Sequence, residues 1–127
     1  MTRIKLKAML REAYQTKVTM PATLLDRMDE AAKREGGDRH RSAWVAEALK
    51  MFLMVPADQR NEMLLSDALI TDGMSSCAIR YSKDMQISVR DILVAFRTAH
   101  PAVEMDTSAV VRHAVIYRLR NETAVQI

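Results

Sequence analysis

The side chains best suited to metal or nucleophilic chemistry, His40, His100, His113 and Cys77, have no metal-ligand spacing. No Gly-rich phosphate loop, nucleophile elbow or paired-carboxylate arrangement occurs in a suitable context. The sequence therefore predicts no enzyme, no metal and no cofactor. Cys77 stands alone, so it permits no internal disulfide and reads as a small apolar residue. What remains is hydrogen-bonding and charge chemistry in two clusters. Gln15, Lys17 and Thr19 alternate with Thr16, Val18 and Met20, and Asp38, Arg39, His40, Arg41 and Ser42 form a polar, mostly basic run.

The first cluster needs a strand to hold it. Alternation over residues 15–20 sends one set of side chains to a core and leaves the other free to hydrogen-bond. Pro21 stops that strand, because proline donates no ladder N–H yet suits the first turn of a helix. Leu24, Leu25, Met28, Ala31 and Ala32 continue as an apolar helical stripe that Gly36 and Gly37 end. The basic cluster then opens a second helix, whose stripe is Trp44, Val45, Ala48, Leu49, Phe52 and Leu53. Trp44, Phe52 and, further on, Phe96 are expected in the core, as are most of the methionines.

This order of strand, proline, helix, glycines, basic turn and helix over residues 15–53 resembles the ribbon-helix-helix family of DNA-binding proteins. The resemblance implies that the strand pairs antiparallel with a second one, and that the two-stranded ribbon enters the DNA major groove. Carried over by position, Gln15, Lys17 and Thr19 would face base edges. Arg39, His40, Arg41 and Ser42 would contact phosphate at the helix N-terminus, where free N–H groups and the dipole favour an anion. The run from Gly37 to Ser42 is about one residue longer than the usual family turn.

A degenerate repeat extends the pattern. Residues 42–53 lie over residues 108–119 without a gap: Ser42, Ala43, Val45, Ala48 and Leu53 coincide with Ser108, Ala109, Val111, Ala114 and Leu119. Upstream, Ile92, Leu93, Phe96 and Ala99 repeat the spacing of Leu24, Leu25, Met28 and Ala31, and Pro101 closes that helix. For the second strand, residues 85–89 fit best by helix length, with Gln86, Ser88 and Arg90 as base-contacting equivalents. Residues 78–82 offer a competing strand, and Ser88 with Asp91 offers an early capping box. Thr107 and Ser108 would be the second pair of phosphate contacts, although Glu104 and Asp106 beside them are acidic. Asp106 there is either a helix N-cap only or a mark of weak grip.

A module of about forty residues buries too little surface to fold unaided, and an isolated two-stranded ribbon is marginal. The expected fold is thus mainly α with a short two-stranded antiparallel ribbon, as tandem ribbon-helix-helix modules in one pseudo-dimeric domain. Residues 1–14 form a basic N-terminal arm or a packed extension, 15–53 the first module, 54–76 an acidic helical connector and 77–127 the second module. A homodimer with modules paired between chains stays open.

Composition agrees with a helix-rich globular chain. Of 127 residues 49% are hydrophobic and only 5% aromatic, with ten methionines and three glycines. The formal charge of +3 is unevenly placed: both ends are basic, whereas residues 54–76 set Arg60 against Asp58, Glu62, Asp67 and Asp72. No apolar run is long enough to span a bilayer, and no signal peptide is evident, so a cytoplasmic protein is expected, associated with a bacterial nucleoid or plasmid. The resemblance implies sequence-specific double-stranded DNA binding, as a transcriptional repressor or an accessory protein of plasmid transfer (conjugation) or maintenance. The alternative is an antitoxin-like protein whose second half holds a protein partner.

Overall fold

The computed structural model describes residues 14–36, 41–70 and 73–125. The N-terminal arm, apart from Tyr14, and the pair Arg39 and His40 lie outside the described residues.

Strand β1 (Tyr14–Pro21) leads into α1 (Ala22–Gly36) and α2 (Arg41–Leu53). Pro56 precedes a connector of α3 (Ala57–Leu65) and a 3-10 turn (Ser66–Leu69). Strand β2 (Met74–Tyr81) then leads into α4 (Lys83–Ala99) and α5 (Thr107–Val125). The chain is thus mainly helical, and among the described residues two strands pair antiparallel from Tyr14↔Tyr81 to Pro21↔Met74.

The second strand is not at residues 85–89. Met85 and Val89 are buried one helical turn apart on α4, in line with Ile92, Leu93 and Phe96, while Ile87 between them is 48% exposed. A run of apolar residues at i, i+2 and i+4 satisfies a strand and half satisfies a helix. Ser82 decides between them. Its side chain accepts the Met85 N–H at 3.2 Å and starts the helix there. Gln86, Ser88 and Arg90 are therefore helical residues, and the Ser88 hydroxyl donates to the Asp84 carbonyl within α4. β2 begins at Met74, within the stretch read as connector.

Each strand face is sorted by its alternation. Val18, Met20, Cys77, Ile79 and Tyr81 are buried beneath the ribbon, whereas Gln15, Lys17, Ser76, Ala78 and Arg80 are exposed and Thr19 is half-buried. The buried set joins one core with Met28, Trp44, Leu49, Phe52, Ile92, Phe96, Val110 and Val115. The most extensive helix pairing is between α2 and α5, the two segments that align in sequence. Leu64 brings α3 into the same core. Among the described residues no helix is long and apolar enough to cross a membrane.

Candidate nucleic-acid interface

The outward ribbon face carries three cross-strand pairs: Gln15 with Arg80, Lys17 with Ala78, and Thr19 with Ser76. The side chains of Gln15, Lys17, Ser76, Ala78 and Arg80 point away from the core because their neighbours point into it, whereas Thr19 is half-buried. Three residues on each of two strands span about 13 Å along the chain and two strands across it, a ribbon of the size a major groove admits. Among the described residues no hydrogen bond or ion pair engages the side chain of Gln15, Lys17 or Arg80.

Two serines fix where the helices meet this ribbon. Ser42, at the start of α2, accepts the backbone N–H of Arg80 through its Oγ at 3.0 Å. Ser108, at the start of α5, accepts the N–H of Thr19 at 3.2 Å. These serines are the aligned pair of the sequence repeat, and each bonds the strand of the other half. The α2 N-terminus consequently lies at the Gln15–Arg80 end of the ribbon, and the α5 N-terminus at the Thr19–Ser76 end.

The two ends differ in charge. At the α2 start, Arg41 makes a two-pronged ion pair with Asp29 of α1, with Nε to Oδ1 and Nη2 to Oδ2 both 2.7 Å. That hydrogen bond is the main cause holding the guanidinium even more firmly charged than usual, against the opposing effect of burial. At the α5 start, Asp106 Oδ1 accepts the Ala109 N–H at 2.9 Å, in the geometry of an N-cap. Thr107 is half-buried beside it, and Glu104 is exposed.

The chain gives no match to any family model, curated protein or solved structure. What the arrangement does chemically follows from its own residues.

Of the residues expected to face bases, Gln15, Lys17 and Thr19 share the outward face, and Gln86, Ser88 and Arg90 are on α4 away from it. The positions opposite the first set are Ser76, Ala78 and Arg80. Of the expected phosphate contacts, Ser42 and Ser108 both use their oxygen to tie helix to strand, which leaves each hydroxyl proton to donate. Arg41 is partnered by Asp29.

Sequence reasoning missed a buried polar cluster behind the Thr19 end. Arg112 of α5 grips Asp67 of the 3-10 turn, Nε to Oδ1 at 3.0 Å and Nη2 to Oδ2 at 2.8 Å. Its Nη1 donates to the Thr19 carbonyl at 2.7 Å and to Thr19 Oγ1 at 3.2 Å. His113 Nε2 lies 3.0 Å from Asp67 Oδ1. Burial pushes the Asp67 carboxyl up, but hydrogen bonds and charge from Arg112, with help from His113, outweigh it and hold the group below its usual range. Burial dominates at His113 and lowers its affinity for a proton despite Asp67. His113 is thus neutral at pH 7, and since the carboxylate only accepts, Nε2 carries the hydrogen. The available signal was Arg112 and His113 inside the apolar run of residues 109–115, a helical position where a charge requires a partner.

A second arginine closes the far end of the α2–α5 contact. Arg118 lies over the Trp44 ring at 4.4 Å, donates to the Trp44 carbonyl at 2.7 Å, and pairs with Glu35 and Glu122.

Proposed function

We propose that this chain is a sequence-specific double-stranded DNA-binding protein of the tandem ribbon-helix-helix kind, with both modules in one chain as a pseudo-dimer. It acts by occupying its site, as a bacterial transcriptional repressor or a plasmid transfer or maintenance accessory protein, in the cytoplasm. The observation that carries this reading is the antiparallel ribbon whose polar outward face is flanked at each end by a helix N-terminus, held there by Ser42 and Ser108. Strand edges of this width suit the major groove, lysine donates to guanine, and serine at a helix start suits phosphate.

The test is selection from a pool of randomised duplexes at near-physiological salt, where sequence-independent binding is weak. Enrichment of a defined site, relaxed at its centre by Lys17→Ala, supports the reading. Failure of any duplex to enrich overturns it.

A second reading, in which the α4–α5 half holds a protein partner, draws on Ile87 and Val94, both about half exposed and two turns apart on the outer face of α4. A stoichiometric partner that co-purifies with the chain and is lost from Ile87→Asp would favour it.

A further inference from the structure

The ribbon face is polarised, and this bears on what kind of DNA site the chain takes. Resting on the DNA-binding reading above, we infer that base discrimination is concentrated at the Gln15–Arg80 end and that phosphate contact is disfavoured at the Thr19–Ser76 end, so that the chain reads a single non-palindromic half-site.

Two features set the ends apart. The first is side-chain reach. Gln15 and Arg80 are cross-strand partners, exposed, and belong to the two residue types that make two-pronged contacts, glutamine with adenine and arginine with guanine. At the other end stand Thr19 and Ser76, whose short hydroxyls pair with any base. Thr19 is further restrained, because Ser108 takes its N–H and Arg112 bonds both its carbonyl and its hydroxyl oxygen.

The second feature is which helix start flanks which end. Ser42 ties α2 to Arg80, and the basic residue described there, Arg41, is paired with Asp29. Ser108 ties α5 to Thr19, and the sequence entering α5 is Glu104, Met105, Asp106. That helix start is also occupied. The Asp106 carboxylate already sits on the α5 N-terminus through the Ala109 N–H, so the place a phosphate would take holds a negative charge of the protein itself.

Between the ends, Lys17 faces Ala78. The centre of the ribbon therefore offers one long donor, not a pair related by symmetry. A symmetric dimer would present the same set twice, whereas here Gln15, Lys17 and Arg80 form one contiguous reading surface and the remainder of the face is short.

The experiment uses the full chain and the duplex it enriches from a randomised pool. Ethylation interference maps the phosphates, and binding is compared for Gln15→Ala, Arg80→Ala, Ser76→Ala and Thr19→Ser. A good two-pronged contact separates right from wrong base by about 5- to 150-fold. Arg80→Ala and Gln15→Ala are thus expected to lose preference at adjacent positions on one side of the site, each by roughly 10-fold or more, and Ser76→Ala and Thr19→Ser to change binding less than about 3-fold. All four positions lie outside the fully buried core, and circular dichroism checks that each variant keeps its helices.

Interfering phosphates are expected to cluster on the same side. A palindromic enriched site, interference of equal strength on both sides, or relaxation by Ser76→Ala matching that by Arg80→Ala overturns the inference and leaves DNA binding intact. Absence of any enriched duplex overturns both.

Discussion

Arg112→Met removes the arginine that grips Asp67 in the buried cluster, and the structure sets the size of the effect. Breaking a buried ion pair by deleting one partner costs about 3–5 kcal/mol, because the remaining charge is stranded. The Asp67 side chain keeps 18% of its exposure and the Arg112 side chain 7%, which moves the expectation to the lower end of that range. The Thr19 carbonyl also loses a charged donor at 2.7 Å, about 1 kcal/mol more after partial compensation by water. Methionine retains much of the apolar stem, so little cavity cost is added. The expected loss is about 3–4 kcal/mol, a large part of the 5–15 kcal/mol typical of a whole domain, and a fall in Tm on the order of 10 °C. Urea denaturation followed by circular dichroism measures it, with an unchanged slope as the check that the unfolded state is the same. Adding Asp67→Asn removes the stranded charge and keeps an acceptor for His113, so the double variant should lie about 1.5–2 kcal/mol above the sum of the singles. A single-variant loss under about 1 kcal/mol, or strict additivity in the double variant, would refute the reasoning.

The same cluster makes stability depend on pH. His113 binds its proton less readily folded than unfolded, so its contribution is complete above the unfolded value near 6.5 and is lost as pH falls below it; Asp67, also lowered, adds a further loss below its unfolded value near 3.8. Denaturation midpoints should be flat from pH 8 to 7 and decline below 6.5, and His113→Asn should abolish the first step; a midpoint that rises on acidification contradicts the assignment. Ser42→Ala and Ser108→Ala each leave a strand N–H without its acceptor, and each should cost about 1 kcal/mol, with faster amide exchange at Arg80 in the first and Thr19 in the second. Exchange that rises equally at both amides in either variant would dissociate the serines from their assigned strands. Arg118→Ala should cost about 2 kcal/mol through the Trp44 carbonyl and ring contacts, with little from exposed Glu35, and should raise Trp44 fluorescence sensitivity to quenchers; Glu35→Ala should therefore be nearly neutral in the same melt.

Much of the architecture was legible locally. Pro21 after an alternating run, the stripe from Leu24 to Ala32, and the repeat of Ser42 with Val45 and Ala48 in Ser108, Val111 and Ala114 are short-range signals, and β1, α1, α2 and α5 lie where they point. Helical periodicity is carried by neighbours three and four apart, so it is written within each segment. The outward placement of Gln15, Lys17 and Thr19 belongs to the same category, since alternation alone assigns a strand residue to one face or the other.

The second strand was beyond such signals. Ser75, Ser76 and Ala78 are small and weakly strand-forming, while Met85, Ile87 and Val89 imitate alternation within a helix. A strand has no internal hydrogen bonds, so its identity is decided by its partner: β2 exists where its Cys77, Ile79 and Tyr81 close the core that Val18 and Met20 open. The ties that give the ribbon two unlike ends depend equally on the assembled chain. Ser42 meets Arg80, Ser108 meets Thr19, and Arg112 meets Asp67 only after the two halves pack. Nothing at either residue's own position announces the other, because a side-chain hydrogen bond across the core is a property of distance in space and leaves no period in the sequence.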